Sequence, residues 1–274
     1  STVIFLSGGA DSRSILGGAL ESVEGNGERL STVCWGAQRK SEGSDVAITE
    51  RIEGEFRINH TSVSRKLEHY EDELSAVNYI LDGQSDMAAL HPHEHRLMLD
   101  LYNAGFRRAM RGDQAFTTGA GRHLHVFTHA QALAEAGIRR VSDISLVADY
   151  VHPSVRRTLM QASDAAIESA LKEVEHMEPN DAKHYLYFVH RVQCYLGSAN
   201  YFKQVVLDSR NVLLDDELLS FVERVPTRLK TKKQLLNQAM RRRHPGLWAI
   251  PMATENNLED WNHQQGGDTA IRRY

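Results

Sequence analysis

The feature that most constrains this chain is a junction: the apolar run TVIF at residues 2–5 passes through LSGGADSR, residues 6–13, into the helix-period stretch SILGGAL. A buried strand that turns through adjacent glycines straight into a helix is the first half of a strand–helix–strand unit, and the following sequence repeats that texture. TVIFLS, RLSTVCWGA, FRINHTSV and RRAMRGDQAF read as strands, with β-branched or aromatic content and turn residues nearby. DSRSILGGALESV, SDVAITERIEGEF and EHRLMLDLYNAG alternate with them as helices, the second started by Ser44 and Asp45. This alternation predicts an α/β fold with a parallel sheet and right-handed crossovers, whose ligands sit at the carboxyl ends of the strands.

From about residue 126 long helical segments take over, at 155–177, 183–206, 215–225 and 230–244, with breaks at Pro153, Pro179, Pro226 and Pro245. The expected division is an α/β core over 1–125, a helical region over 126–252 and a polar tail over 253–274, loose or docked on something outside the chain. The 274 residues suffice for one large core or a core with a helical extension. A net charge of −4 argues against a dedicated nucleic-acid binder, and no apolar run approaches the roughly 20 residues of a membrane span, so neither partner is expected. Cys34 and Cys194 are far apart and lack a CxxC partner, which fits a reducing cytoplasm rather than a disulfide framework. The chain enters its first strand directly from Ser1 with no leader pattern, as expected of a trimmed protein or a domain cut from a longer one.

Ser7, Gly8, Gly9, Asp11 and Ser12 fall where a strand's carboxyl end becomes a helix. Glycines let backbone N–H groups approach a ligand, the helix N-terminus adds partial positive charge, and the hydroxyls of Ser7 and Ser12 add donors, so the turn suits phosphate. The lysine of a Walker A loop and the spacing of a dinucleotide fingerprint are both absent. The pattern S-G-G-x-D-S instead resembles the signature of the PP-loop ATP pyrophosphatases.

Three later stretches narrow the resemblance. WGAQRKSEGSDVAITERIEGEFRINH is similar to a G-x-x-x-S-D segment with its helix and strand. RGDQAF stands where that family has S-D-E-x-F or G-D-E-x-F. RNVLLDDELLSFVERVP followed by KTKKQLLNQAM is similar to R-x-P-F-L-D, helix, Pro and K-x-x-L-R-x-A. Over residues 2–245 the chain resembles the synthetase domain of asparagine synthetases and their relatives, the β-lactam synthetases and lasso-peptide cyclases. The resemblance implies an adenine-nucleotide α-hydrolase-like fold and an ATP-dependent amidation through an acyl-adenylate, with release of AMP and pyrophosphate. It implies that ATP is contacted by Leu6, Ser7, Gly8, Gly9, Asp11, Ser12, Trp35 and backbone around Ala109. Asp11 and Asp113 would bind Mg²⁺. Lys233, with Lys232 as the alternative register, would lie over the α-phosphate and act with Asp113 in catalysis.

The implied partners are a small-molecule or peptide carboxylate and an amine or ammonia, aspartate plus ammonia being the default, with a separate glutaminase domain as one ammonia source. Several positions depart from the family pattern. Gln114 follows Asp113 where Glu is usual, Met110 replaces the glutamate three residues before it, Asn237 and Val212 replace an arginine and a proline, and Arg13 replaces a serine. These departures keep two alternatives open: another amide-forming ligase or cyclase, and a non-catalytic ATP- or AMP-binding regulator.

HPHEH at 91–95 and the histidines at 123, 125 and 129 invite a metal or substrate reading, weighed against solvated or core histidines. Tyr185, Tyr187, Phe188, Tyr195, Tyr201 and Phe202 read as helix packing, with one tyrosine a weak candidate for the missing acid–base group.

Overall fold

The computed structural model describes residues 1–36, 41–64, 70–83, 93–112, 125–143 and 151–254. Its centre is a five-stranded, all-parallel sheet of β1 (Thr2–Phe5), β2 (Ser31–Gly36), β3 (Asn59–Ser64), β4 (Arg108–Arg111) and β5 (Asp208–Asn211), in the order β3-β2-β1-β4-β5. The fold is α/β, as expected, and four of the strands fall on the four expected runs. β5 was not expected. Its sequence, DSRN, has no apolar alternation, because it is a short edge strand that buries only Ser209.

The register places Ile4 between Thr32 and Met110, and Val3 opposite Ala109. The chain steps outward from β1 through β2 to β3, then returns to lay β4 on the other side of β1. The crevice beyond the carboxyl ends of β1 and β4 is therefore the topological switch point, where parallel sheets bind ligands.

Helix α1 (Ala10–Ser22) connects β1 to β2 and α2 (Asp45–Phe56) connects β2 to β3. Ser44 starts α2 by accepting the Ala47 N–H at 3.2 Å, as its sequence signal indicates, and Arg57 ends it in the left-handed conformation. Helices α3 (Tyr70–Leu81) and α4 (His93–Asn103) then lead to β4. Leu97 and Met98 of α4 join Val3, Phe5, Val33, Ala109 and Leu207 in one buried cluster. Burying such side chains at roughly 1.5–3 kcal/mol each holds α4 on the sheet.

The chain forms two compact units, which interleave rather than follow one another. The first comprises 1–115, 199–223 and 235–274; the second comprises 116–198 and 224–234. Described elements of the second include α5 (His129–Glu135), α6 (Pro153–Val174) and α7 (Pro179–Leu186), which pack together. Residues 187–196 continue α7 as a π-helical stretch before α8 (Gly197–Val206), so the single helix expected over 183–206 changes its winding midway. After β5 come α9 (Asp216–Arg224), α10 (Thr227–Lys230), α11 (Gln234–Arg243) and α12 (Pro245–Ala249). No described helix is long and apolar enough to cross a membrane.

Candidate active site

At the carboxyl end of β1 the loop is held by its own polar groups. Ser7 N–H donates to Ser12 Oγ at 3.0 Å, the two hydroxyls lie 2.9 Å apart, and Gly9 N–H donates to Ser7 Oγ at 3.3 Å. Gly8 N–H donates to a carboxylate oxygen of Asp45, the first residue of α2, at 2.7 Å. The amides of Ser7, Gly8 and Gly9 thus have partners within the chain, which corrects the expectation that the glycine N–H groups face a ligand. What the loop presents to an anion is α1, which begins at Ala10 with no side-chain cap.

Neither glycine takes the left-handed conformation. Gly8 is required by close approach: a Cβ there would come within 2.6 Å of the Ala253 Cβ and 3.1 Å of the Asp45 carboxylate. Gly112 has a similar reason, since its Cβ would lie 2.8 Å from the Asp11 carbonyl oxygen. The end of β4 therefore closes directly on the first turn of α1, at the switch point.

Arg13, the departure from the family's serine, is fully buried. One guanidinium nitrogen donates to the carbonyls of Leu247 and Ile250 at 3.0 and 2.6 Å, and the other to those of Gly8 and Pro251 at 3.0 and 2.9 Å. Burial pushes its pKa down to about 10, so it stays charged at neutral pH and four carbonyl dipoles receive its protons. The segment it holds continues to Ala253, whose N–H donates to Gly8 O at 3.1 Å, and Thr254, whose N–H donates to Gly43 O at 3.0 Å. Residues 253 and 254, expected in a loose or externally docked tail, are instead bonded to Gly8 of the Ser7–Ser12 loop and to Gly43 just before α2.

Beside the loop is a cleft lined by Leu6, Ser7 and Ser12, by Trp35 at the end of β2, by Arg111 and Gly112 at the end of β4, and by Lys203 of α8. Trp35 stands edge-on to Phe5, with ring centroids 4.9 Å apart, and its indole N–H donates to Glu94 Oε1 at 2.8 Å. The other Glu94 oxygen pairs with Lys203 Nζ at 2.6 Å; the two side chains are only 7% and 13% exposed. This buried pair fixes the indole as one wall of the cleft.

Leu6, Ser7, Ser12 and Trp35 are therefore brought together, with Gly8, Gly9 and Asp11 in the adjoining loop. Backbone around Ala109 was the expected contact from β4; the Ala109 side chain is fully buried in the core, and the same segment lines the cleft two and three residues later, at Arg111 and Gly112. Asp113, Gln114, His91, His123 and residues 255–274 lie outside the described residues. Lys233 belongs to the second unit, where Lys232 and Lys233 both have positive φ, 53° and 55°. Two successive lysines in that region cost roughly 1–2 kcal/mol each. Among the described residues no group of His, Cys, Asp and Glu is arranged to hold a metal, and Glu94 and His95 of the histidine-rich stretch bond instead to Lys203 and to Glu73, the latter at 3.0 Å.

Three residues of this arrangement carry no sequence signal for their role. Asp45 reads as a helix start, Glu94 sits among histidines, and Arg13 reads only as a departure.

The family model for asparagine synthase matches residues 2–249. The chain belongs to the asparagine synthase family. Membership makes it a ligase of the ATP-dependent amidation type. No curated protein matches the chain.

Proposed function

We propose that this asparagine synthase family member is an AMP-forming amide ligase. A carboxylate oxygen attacks the α-phosphorus of ATP, the bond from that phosphorus to the β-phosphate oxygen breaks, and pyrophosphate leaves. An amine then attacks the acyl carbon, forms the C–N bond, loses a proton and displaces AMP. The observation that carries this reading is the S-G-G-x-D-S loop at the switch point of the parallel sheet, opening on the Trp35 cleft.

Asp11 and Asp113 are the proposed Mg²⁺ ligands. Hard carboxylate donors suit that ion, and β4 reaches the Asp11 carbonyl at Gly112, the residue before Asp113. The ion would neutralise the departing pyrophosphate. Lys233 is proposed to stabilise charge on the α-phosphate, and the strained backbone at Lys232 and Lys233 supports a functional role for that turn. Leu6 and Trp35 are proposed to flank the adenine. Aspartate and ammonia are the default substrates, the ammonia coming from solution or from a separate glutaminase domain. Free Cys34 and Cys194 are compatible with a reducing cytoplasm.

Met110, in place of the family's glutamate, favours a second reading: amide formation on another carboxylate, or cyclisation by an internal amine, as in β-lactam and lasso-peptide cyclases. Nucleotide product analysis separates the readings. With MgATP, aspartate and ammonium, aspartate-dependent AMP and pyrophosphate, reduced about 10³-fold in Asp11→Asn, are expected for asparagine synthesis. No AMP with aspartate, but AMP with another carboxylate, selects the second reading. MgATP binding without cleavage across the carboxylate panel contradicts both and leaves a regulator.

A further inference from the structure

The family match ends at residue 249, yet the segment that follows it is tied to the Ser7–Ser12 loop and to its surroundings. Ile250 is buried at 2% exposure, Ile250 and Pro251 give their carbonyls to Arg13, Ala253 donates to Gly8 O, and Thr254 donates to Gly43 O just before α2. Gly8 is thereby fixed on three sides. Its N–H is held by Asp45, while its carbonyl accepts from both Ala253 N–H and Arg13. The Ala253 methyl occupies the space that any side chain at position 8 would need.

We propose that residues 250–254 are a strap belonging to the nucleotide site, and that Arg13 is the positioning residue that clamps it so that the Ser7–Ser12 loop is held ready for pyrophosphate. The proposal rests on the reading of that loop as the site for the ATP phosphates. Its physical basis is that a loop with adjacent glycines is intrinsically adaptable, and a ligand that must order it loses affinity to that ordering. Here the ordering is done before binding. A planar guanidinium with several N–H donors can join four carbonyls from two chain segments at once, whereas the compact ammonium of lysine serves fewer in that geometry and the family's serine cannot span them.

The test is calorimetric titration of the full-length chain with magnesium pyrophosphate and, separately, with adenosine, which lacks phosphates. Variants are Arg13→Ser, Arg13→Lys and Ala253→Pro, the last removing the strap's N–H donor to Gly8 and placing the proline ring against that carbonyl. Loss of a charge-assisted hydrogen-bond set and displacement of the loop are expected to weaken pyrophosphate binding about 10- to 100-fold in Arg13→Ser. A smaller loss is expected in Arg13→Lys and Ala253→Pro, with adenosine affinity within about twofold of the parent in all three. Should Arg13→Ser fail to fold, the other two variants give the same readout. Unchanged pyrophosphate affinity in the folded variants, or equal loss for pyrophosphate and adenosine, overturns the strap proposal while leaving the ligase reading intact. A parent protein that binds pyrophosphate and ATP not at all overturns the ligase reading first, and the strap with it.

Discussion

The loop at residues 7–12 and the turn at residues 231–233 are both assigned to phosphate chemistry, but they are made rigid in opposite ways. In the loop, the amides are held by donating to Ser12 Oγ, the Asp45 carboxylate and Ser7 Oγ, and the backbone stays in ordinary conformations although two glycines are available. In the turn, no glycine is present, and two lysines occupy the left-handed region where glycine would sit without penalty. Glycine at positions 8 and 112 thus answers close approach, not backbone freedom. Lysine at 232 and 233 stands against the backbone's preference, which the role proposed for Lys233 would explain.

The largest effect should separate the two lysines. Lys233→Met is expected to lower kcat about 10²- to 10³-fold, as removal of a group that stabilises transition-state charge does, with little change in ATP affinity. Lys232→Met should stay within a few-fold of the parent; steady-state kinetics on both variants decides the register, and the reverse order moves the role to Lys232. Strain is tested by Lys232→Gly, which should raise stability in urea unfolding by about 1 kcal/mol if the left-handed backbone is the cost it is taken to be. No gain would remove strain as a support for that turn. On the loop side, Gly8→Ala should destabilise the protein by roughly 1–3 kcal/mol through overpacking against Ala253, whereas Gly9→Ala, whose Cβ would meet only Ser7 Oγ at 3.4 Å, should be nearly neutral. Equal effects at the two positions would break the close-approach explanation.

The smallest expected effect lies away from both regions, at the sheet edge. His60 on β3 is 2.7 Å from Thr32 Oγ1, and burial lowers its pKa from 6.5 to about 4. Between those values the unfolded chain binds a proton that the folded one does not, so this contribution to stability falls as pH drops from about 6.5 towards 4. His60→Gln should flatten part of the stability loss in that window and leave stability above pH 7 nearly unchanged; an unaltered pH profile would refute the burial effect.

The sheet was legible because its strands either bury short continuous apolar runs, as Val3, Ile4 and Phe5 do, or follow a helix with clear caps, as β3 follows α2. β5 was not, since DSRN earns its place by pairing with β4 and not by its own pattern. The loop was legible as a motif, but its internal bonding was not: Asp45 lies 37 positions from Gly8, and Arg13 finds three of its four carbonyl partners more than 230 positions away. Long-range polar contacts leave no periodicity to read. At β4 the resemblance pointed to backbone around Ala109, and the cleft is lined by the same segment at Arg111 and Gly112, while the Ala109 side chain is buried opposite Val3.

The most direct test of the central claim is exchange of labelled pyrophosphate into ATP, measured with a panel of carboxylates in the absence of any amine. Carboxylate-dependent exchange, abolished in Asp11→Asn, is the expected result, because it requires reversible cleavage between the α- and β-phosphates at this loop. Formation of ADP and inorganic phosphate, or exchange that survives in Asp11→Asn, would contradict the assignment of residues 7–12 as the pyrophosphate site of an amide ligase.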